Sequence, residues 1–394
     1  VGFASHLFRL ATAGHRWVVF LLCPAGLVSI DFLTRKLFQG AQGSGIPQAM
    51  AAMHMRDRRM VNAVLSLRIL VGKVLLTLVG FACGASIGKE GPTVQVGCSV
   101  INAFGRLGGR PSFETKRALI LAGGAAGISG AFNTPLAGAI FAIEEMAHSF
   151  DVRTSRLLLL AVALGGATTL ILAGNYNYFG TVSAALPWGW DWLAVPLAGA
   201  GGGLAGGLFA QILARAPLGF PTILRQLATR RPSVFAALCG LALAALGWLS
   251  GGGVFDASHG IAQSLLHGHA AAGWAFAPLK WLATLVSYLS GIPGGIFAPS
   301  LAAGAGLGVW LSWIFPHAPL GALAMLGMAG YFSGVVQSPI TAAVIVMEMT
   351  NDLPMTAAVA GAALLGTVFS RLVCPTPVYG ALADRFLAAM ERGR

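Results

Sequence analysis

Gly84-Ala85-Ser86-Ile87-Gly88-Lys89-Glu90-Gly91-Pro92 sets a lysine and a glutamate between two long apolar segments that otherwise avoid charge. Two charges in such a setting require a role. The glycines admit backbone conformations and close approaches that other residues do not, and Pro92, followed by the mostly apolar Val94 to Phe104, suits the first turn of a helix. Glu90 is therefore expected at a helix N-terminus. Unpaired N–H groups and the positive end of the helix dipole favour an anion there, either the Glu90 carboxylate or an ion competing with it.

Two further strings share this design: Gly43-Ser44-Gly45-Ile46-Pro47 and Gly291-Ile292-Pro293-Gly294-Gly295-Ile296-Phe297-Ala298-Pro299. Three such strings suggest one shared anion site. A nucleotide-binding loop is excluded on spacing, because Gly84 and Gly88 enclose three residues and Lys89 is followed by Glu90 instead of serine or threonine. Simple glycine-rich reversals between membrane helices would account for the glycines but leave Glu90 unexplained.

Taken together, the three strings resemble the signatures of the CLC family of chloride channels and chloride/proton antiporters, in the family's order and over nearly the whole chain. The resemblance implies an all-helical membrane protein of two inverted-topology repeats, with broken helices meeting at an anion site and a homodimeric assembly. It is closest in kind to prokaryotic transporters. With a short tail after Met390, the cytoplasmic nucleotide-sensing domains that some relatives carry are not expected.

Composition points the same way. With 56% hydrophobic and 10% charged residues and a mean hydropathy of +0.76, the chain is far more apolar than a soluble domain, in which about 25% of residues are charged. Runs such as Trp17–Ile30, Val64–Phe81, Leu157–Ala173, Val234–Leu249 and Ala357–Phe369 approach or reach the length that crosses a bilayer. An integral, multi-pass protein of a cell inner (plasma) membrane is expected. The net charge of +12 is spread over short links, including Arg35-Lys36, Arg56 to Arg59, Lys116-Arg117, Arg153 with Arg156, and Arg230-Arg231. That is the pattern of cytoplasmic loops, not of a nucleic-acid surface. The five cysteines are widely spaced in apolar surroundings and read as core residues. His267 and His269 lack nearby cysteine or carboxylate partners and read as a solvated loop, so no metal or cofactor is expected.

The second half echoes the first. Gln337 through Glu348 aligns with Asn133 through Glu144, and Gly291, Gly295 and Pro299 align with Gly84, Gly88 and Pro92. Internal similarity of this kind marks transporters built from two related halves with the binding site between them. The boundary is placed near Pro187-Trp188, giving repeats 1–187 and 188–394, the second ending in a short amphipathic helix after Pro375-Thr376-Pro377. The residues through Ala13 form neither a cleavable signal nor a full span, and the resemblance implies a further long helix ahead of the Trp17 segment.

A chloride ion that sheds its water needs substitutes that do not hold it too tightly. Backbone N–H groups at helix ends and neutral hydroxyls supply partial charges of this kind. By resemblance, Ser44 and Tyr379 hold the central ion, with Gly45, Ile46, Gly91, Ile296 and Phe297 around it or its outer neighbour. Serine at position 44 implies a preference for chloride, where relatives with proline favour nitrate. Lys89 is implied to be a background positive field instead of a direct ligand. Glu90 is the implied gate: ionised, it competes with chloride, and protonated, it releases the donors. Glu145, the second acid of the Glu144-Glu145 pair, is the implied inner proton relay, a position that is usually apolar in the family's channels. Coupled exchange of chloride for protons is the leading expectation, with a passive voltage- or pH-gated chloride channel as the alternative. An intramembrane enzyme using the same acids is disfavoured by the lack of a nearby nucleophile, histidine or metal cluster.

Overall fold

Prolines and polar caps cut the apolar sequence into helices. The computed structural model describes residues 1–392 apart from 106–108, 110, 148–151, 175 and 271. The first half comprises α1 (Gly2–Ala13), α2 (Val19–Leu37), α3 (Ile46–His54), α4 (Arg58–Val64), α5 (Leu67–Ala82), α6 (Glu90–Phe104), α7 (Phe113–Phe132), α8 (Pro135–Phe141, continued by a π-helical turn Ala142–Ala147) and α9 (Val152–Ala173). The second comprises α10 (Ala194–Arg215), α11 (Thr222–Arg230), α12 (Pro232–Leu249), α13 (His259–Leu266), α14 (Phe276–Leu289), α15 (Phe297–Ile314), α16 (Leu320–Val336), α17 (Pro339–Thr350), α18 (Thr356–Val373) and α19 (Val378–Arg392). Among the described residues, seven helical segments are long and apolar enough to cross a membrane. Several others are too short to span. The protein is thus an integral multi-pass membrane protein with interrupted helices, tolerated where they are buried in protein.

Local chemistry explains the interruptions. Ser66 caps α5 by accepting from the Ile69 amide at 3.4 Å, so the expected run Val64–Phe81 is split after Val64. Asp57 does the same for α4 within the basic link, accepting from the Arg59 amide at 2.8 Å. The run from Trp17 continues as helix through Arg35-Lys36 to Leu37, because its cationic last turn complements the helix dipole. Among the described residues, α1 precedes it, and Phe8 of α1 packs edge-on against Phe255 with ring centroids 4.7 Å apart. Of the expected polar link His148–Arg156, residues 148–151 lie outside the described set.

The inverted repeat is visible as contacts between matching elements. Helices α2 and α12 pack together, as do α6 and α15, and α8 and α17. At the centre, Gly88 and Gly295 exchange both backbone hydrogen bonds at 2.7 Å. Each half also closes the other's helix ends. Glu144 accepts from the Ile340 and Thr341 amides at 3.1 and 2.6 Å and from the Thr341 hydroxyl at 2.7 Å, while Glu348 accepts from the Leu136 and Ala137 amides at 3.1 and 2.7 Å. Without these carboxylates, the N-terminal amides of α8 and α17 would face apolar surroundings unpaired, at a cost of several kcal/mol per group. Where helices approach most closely, small residues make room. A methyl group at Gly206 of α10 would lie 2.6 Å from backbone atoms of Tyr331 and Gly334 in α16.

Candidate anion-binding site

The three glycine-rich strings converge as their sequences suggest. Gly45 adopts φ 104° and caps α3, a left-handed conformation open to glycine. Glu90 is the first residue of α6, and Ile296 caps α15, which begins at Phe297. The Gly294 amide donates to the Gly43 carbonyl at 3.0 Å, tying the third string to the first. A side chain at Gly91 would overlap the Ser44 hydroxyl, and one at Gly45 would come within 2.8 Å of the Gly91 carbonyl. The glycines therefore bring the N-termini of α3 and α6 into direct contact. Ile46, Gly91, Ile296 and Phe297 are all buried.

Tyr379 enters this cluster from the first turn of α19. Its ring lies 5.9 Å from that of Phe297, which itself packs against Phe141 and Phe332. The Ser44 and Tyr379 hydroxyls face one another, yet neither makes a normal hydrogen bond with the protein, and both are fully buried. Buried hydroxyls are ordinarily paired, and each unpaired one costs about 1–3 kcal/mol. Two neutral O–H donors beside convergent helix N-termini form a set of partial positive charges without a full one. Such a set suits a dehydrated monovalent anion.

Glu90 folds back over the Gly88–Gly295 bridge, where a side chain at Gly88 would overlap its carboxylate and one at Gly295 would lie 2.8 Å from Oε2. The Ala298 amide and the Glu90 amide itself face this carboxylate, but neither oxygen has a full hydrogen bond. The side chain borders a cavity of about 950 Å³, shared with Phe8, Lys89, Tyr178, Asp256 and His259. Lys89 is half-buried, with its ammonium 5.6 Å from the centre of the Tyr178 ring. It thus stands at the cavity wall beside Glu90.

Glu145 lies on a different element. A π-helical turn is wider than an α-helical one and often marks a functional position. Here it carries Glu144 to the end of α17 and buries Glu145 against Ser338, whose hydroxyl donates to Glu145 Oε2. Glu145 Oε1 has no partner. Both Glu90 and Glu145 lie within electrostatic range of the Tyr379 hydroxyl. The structure therefore gathers Ser44, Gly45, Ile46, Gly91, Ile296, Phe297 and Tyr379 around one buried locus, with Glu90 toward the cavity and Glu145 on the α8–α17 side.

Sequence reasoning passes over two buried lysines that shape this locus. Lys73 donates to the Ala41 and Gly43 carbonyls at 2.8 and 2.6 Å, holding the Ser44 string. Lys280 donates to the Ser86 hydroxyl at 2.9 Å and to the Val254 and Asp256 carbonyls at 3.1 and 2.6 Å, holding the Glu90 string to the cavity wall. They stand as far apart in sequence as Gly84 and Gly291 do, a signal that the internal repeat makes available. His267 and His269 are exposed. Among the described residues, no three histidine, cysteine or acidic side chains cluster as a metal site.

A family model described as "Voltage gated chloride channel" matches residues 25–371. Similar solved structures include a slow cyanobacterial Cl⁻/H⁺ antiporter (TM-score 0.77, 22% identity, 98% of this chain and 92% of the other) and a CLC-type fluoride/proton antiporter (0.77, 23%, 95% and 92%). A eukaryotic CLC transporter is similar over 97% of this chain and 70% of its own (0.77, 23%). At these identities the structural likeness speaks to the fold.

Proposed function

The chain belongs to the CLC voltage gated chloride channel family, and from that premise we propose that it exchanges chloride for protons, with Glu90 as gate and Glu145 as inner proton relay. The observation that carries this reading is the pairing of two unpartnered buried hydroxyls, Ser44 and Tyr379, with an unpartnered carboxylate, Glu90, at the same convergence of helix ends. An anion and the Glu90 carboxylate would compete for the same amides. Protonation removes the carboxylate's attraction to them, so one side chain links the two ions. Glu145 supplies the proton from the opposite side, through a carboxyl group whose second oxygen is uncommitted.

The test is a chloride gradient imposed on sealed proteoliposomes, with chloride and external pH recorded together. Exchange is expected to move protons against the chloride flow. Chloride movement without opposed protons supports a passive channel, and movement of neither ion removes the transport reading. Because one similar structure is a fluoride/proton antiporter, fluoride belongs in the same assay, and Ser44 leads to the expectation that chloride is the better substrate. Ser44→Pro deletes both the hydroxyl and the backbone N–H at the α3 end. It is expected to lower the chloride-to-nitrate preference by roughly tenfold, the scale of one lost hydrogen bond to a charged ligand. An unchanged ratio in competition flux would remove Ser44 from the selectivity site.

The two repeats are taken as 1–187 and 188–394, a division that separates the members of every matching helix pair. For assembly, the family resemblance implies a homodimer. The faces of α8 and α17 present Leu136 and Ile340, each 57% exposed, at matching positions of the two halves. Cross-linking in mild detergent is expected to trap dimers through this face, and a purely monomeric product would refute it. Placement in the cell's inner (plasma) membrane is checked by membrane fractionation, where recovery in another membrane would overturn it.

A further inference from the structure

Ser338 stands at the N-cap of α17 yet makes no hydrogen bond to its own helix. A serine there ordinarily accepts from the second or third N–H of the helix. Those groups are already taken, since Ile340 and Thr341 donate to Glu144. The freed hydroxyl donates instead to Oε2 of Glu145, with both side chains buried. The first half provides an internal comparison. Thr134 holds the matching position before α8, where its hydroxyl is buried and unpartnered, and the residue matching Glu145 is Met349. A hydroxyl occurs in both halves, but it is engaged in the half that carries the second acid.

We infer that Ser338 is a positioning residue for the transported proton: by holding Oε2 of Glu145, its hydroxyl directs protonation to Oε1. This rests on the exchange reading above. The ionised carboxylate accepts the Ser338 hydrogen bond at Oε2 and takes the incoming proton on Oε1. As the neutral acid, it keeps that hydrogen bond through Oε2, now its carbonyl oxygen, and loss of the proton from Oε1 restores the starting state. Ser338 keeps its own proton throughout, so the step balances with no further reactant. Glu144, fixed by three donors on α17, is the neighbouring charge, and Tyr379 is the nearby hydroxyl on the site side.

Wild-type proteoliposomes are measured first, and the absence of opposed proton flux there would refute both the exchange reading and this inference. If protons do move, Ser338→Ala is expected to slow proton movement per chloride by roughly tenfold, the scale of one charge-assisted hydrogen bond. Ser338→Thr, which keeps the hydroxyl, should restore it. Chloride binding by calorimetry should be unchanged in both, because the Ser338 hydroxyl bonds Glu145 and not the hydroxyls of Ser44 or Tyr379. Infrared difference spectra across a pH step give a second readout, with the Glu145 carbonyl band identified by its disappearance in Glu145→Gln. That band should move to higher frequency in Ser338→Ala, where its donor is gone, and return in Ser338→Thr. A band that stays in place, or full coupling in Ser338→Ala, overturns the inference. Should Ser338→Ala fail to fold, Ser338→Cys, a weaker donor of similar size, decides by the same two measurements.

Discussion

Glu90→Gln proteoliposomes should pass chloride while proton movement falls to the leak of protein-free vesicles. Glutamine keeps the volume and the two-atom head of the side chain but can neither carry a negative charge nor release a proton in the working range. The geometry says why chloride survives. The Glu90 head lies over Gly88 and Gly295 and faces the Ala298 amide without a full hydrogen bond, so the substitution breaks no structural bond. The donors around Ser44 and Tyr379 remain. On the exchange reading proposed above, what disappears is the electrostatic competition between carboxylate and anion, together with the proton that relieves it. Chloride flux should also lose its dependence on external pH. The measurement is chloride efflux and external pH in one vesicle preparation at several starting pH values. Proton flux surviving at the wild-type ratio would show that another group carries the proton, and loss of all chloride movement would show that Glu90 is needed as an anion ligand.

Much of this site is legible in the chain because glycine, proline and isolated charges act locally. The placement of Glu90 at the head of α6 follows from Pro92 and the apolar run after it, and the glycine-to-proline strings foretell where α3 and α15 begin. The repeat is legible too, since Asn133 and Gln337 end α7 and α16 in the same left-handed conformation, at φ 58° and 62°. Long-range partners escape such reading. Periodicity shows which face of a helix is apolar, not which helix opposes it, so nothing in the sequence links Glu144 with Ile340 and Thr341, or Glu348 with Leu136 and Ala137. The two lysines escape for another reason. In an apolar run a lone cation suggests a membrane edge, whereas Lys73 and Lys280 are fully buried because carbonyls of irregular backbone, freed from helical pairing, accept their protons. The π-helical turn at 142–147 leaves no compositional trace.

That turn places two adjacent glutamates in unlike surroundings, and substituting each should produce unlike failures. Glu144→Gln removes the charge from a group that closes the end of α17 through three donors. It is expected to cost about 1–3 kcal/mol of stability, the worth of hydrogen bonds to a charged cap, seen as a lower Tm in detergent while coupling persists. Glu145→Gln should do the reverse. Its carboxylate serves no helix end: one oxygen meets Ser338 and the other is unpartnered. The second half shows that the architecture does not require an acid there, because the matching residue, Met349, packs fully buried in the core. Glu145→Gln should therefore fold with near wild-type stability and bind chloride normally, since Ser44, Tyr379 and the α3 and α6 N-termini are untouched. On the exchange reading, proton movement should fall to vesicle leak while chloride continues, because the proton would lose its way to Glu90 and the anion would keep its donors. Paired flux records and melting curves of the two variants check this directly. Full coupling in Glu145→Gln would make Glu145 a bystander, and uncoupling in Glu144→Gln without loss of stability would move the relay to its neighbour.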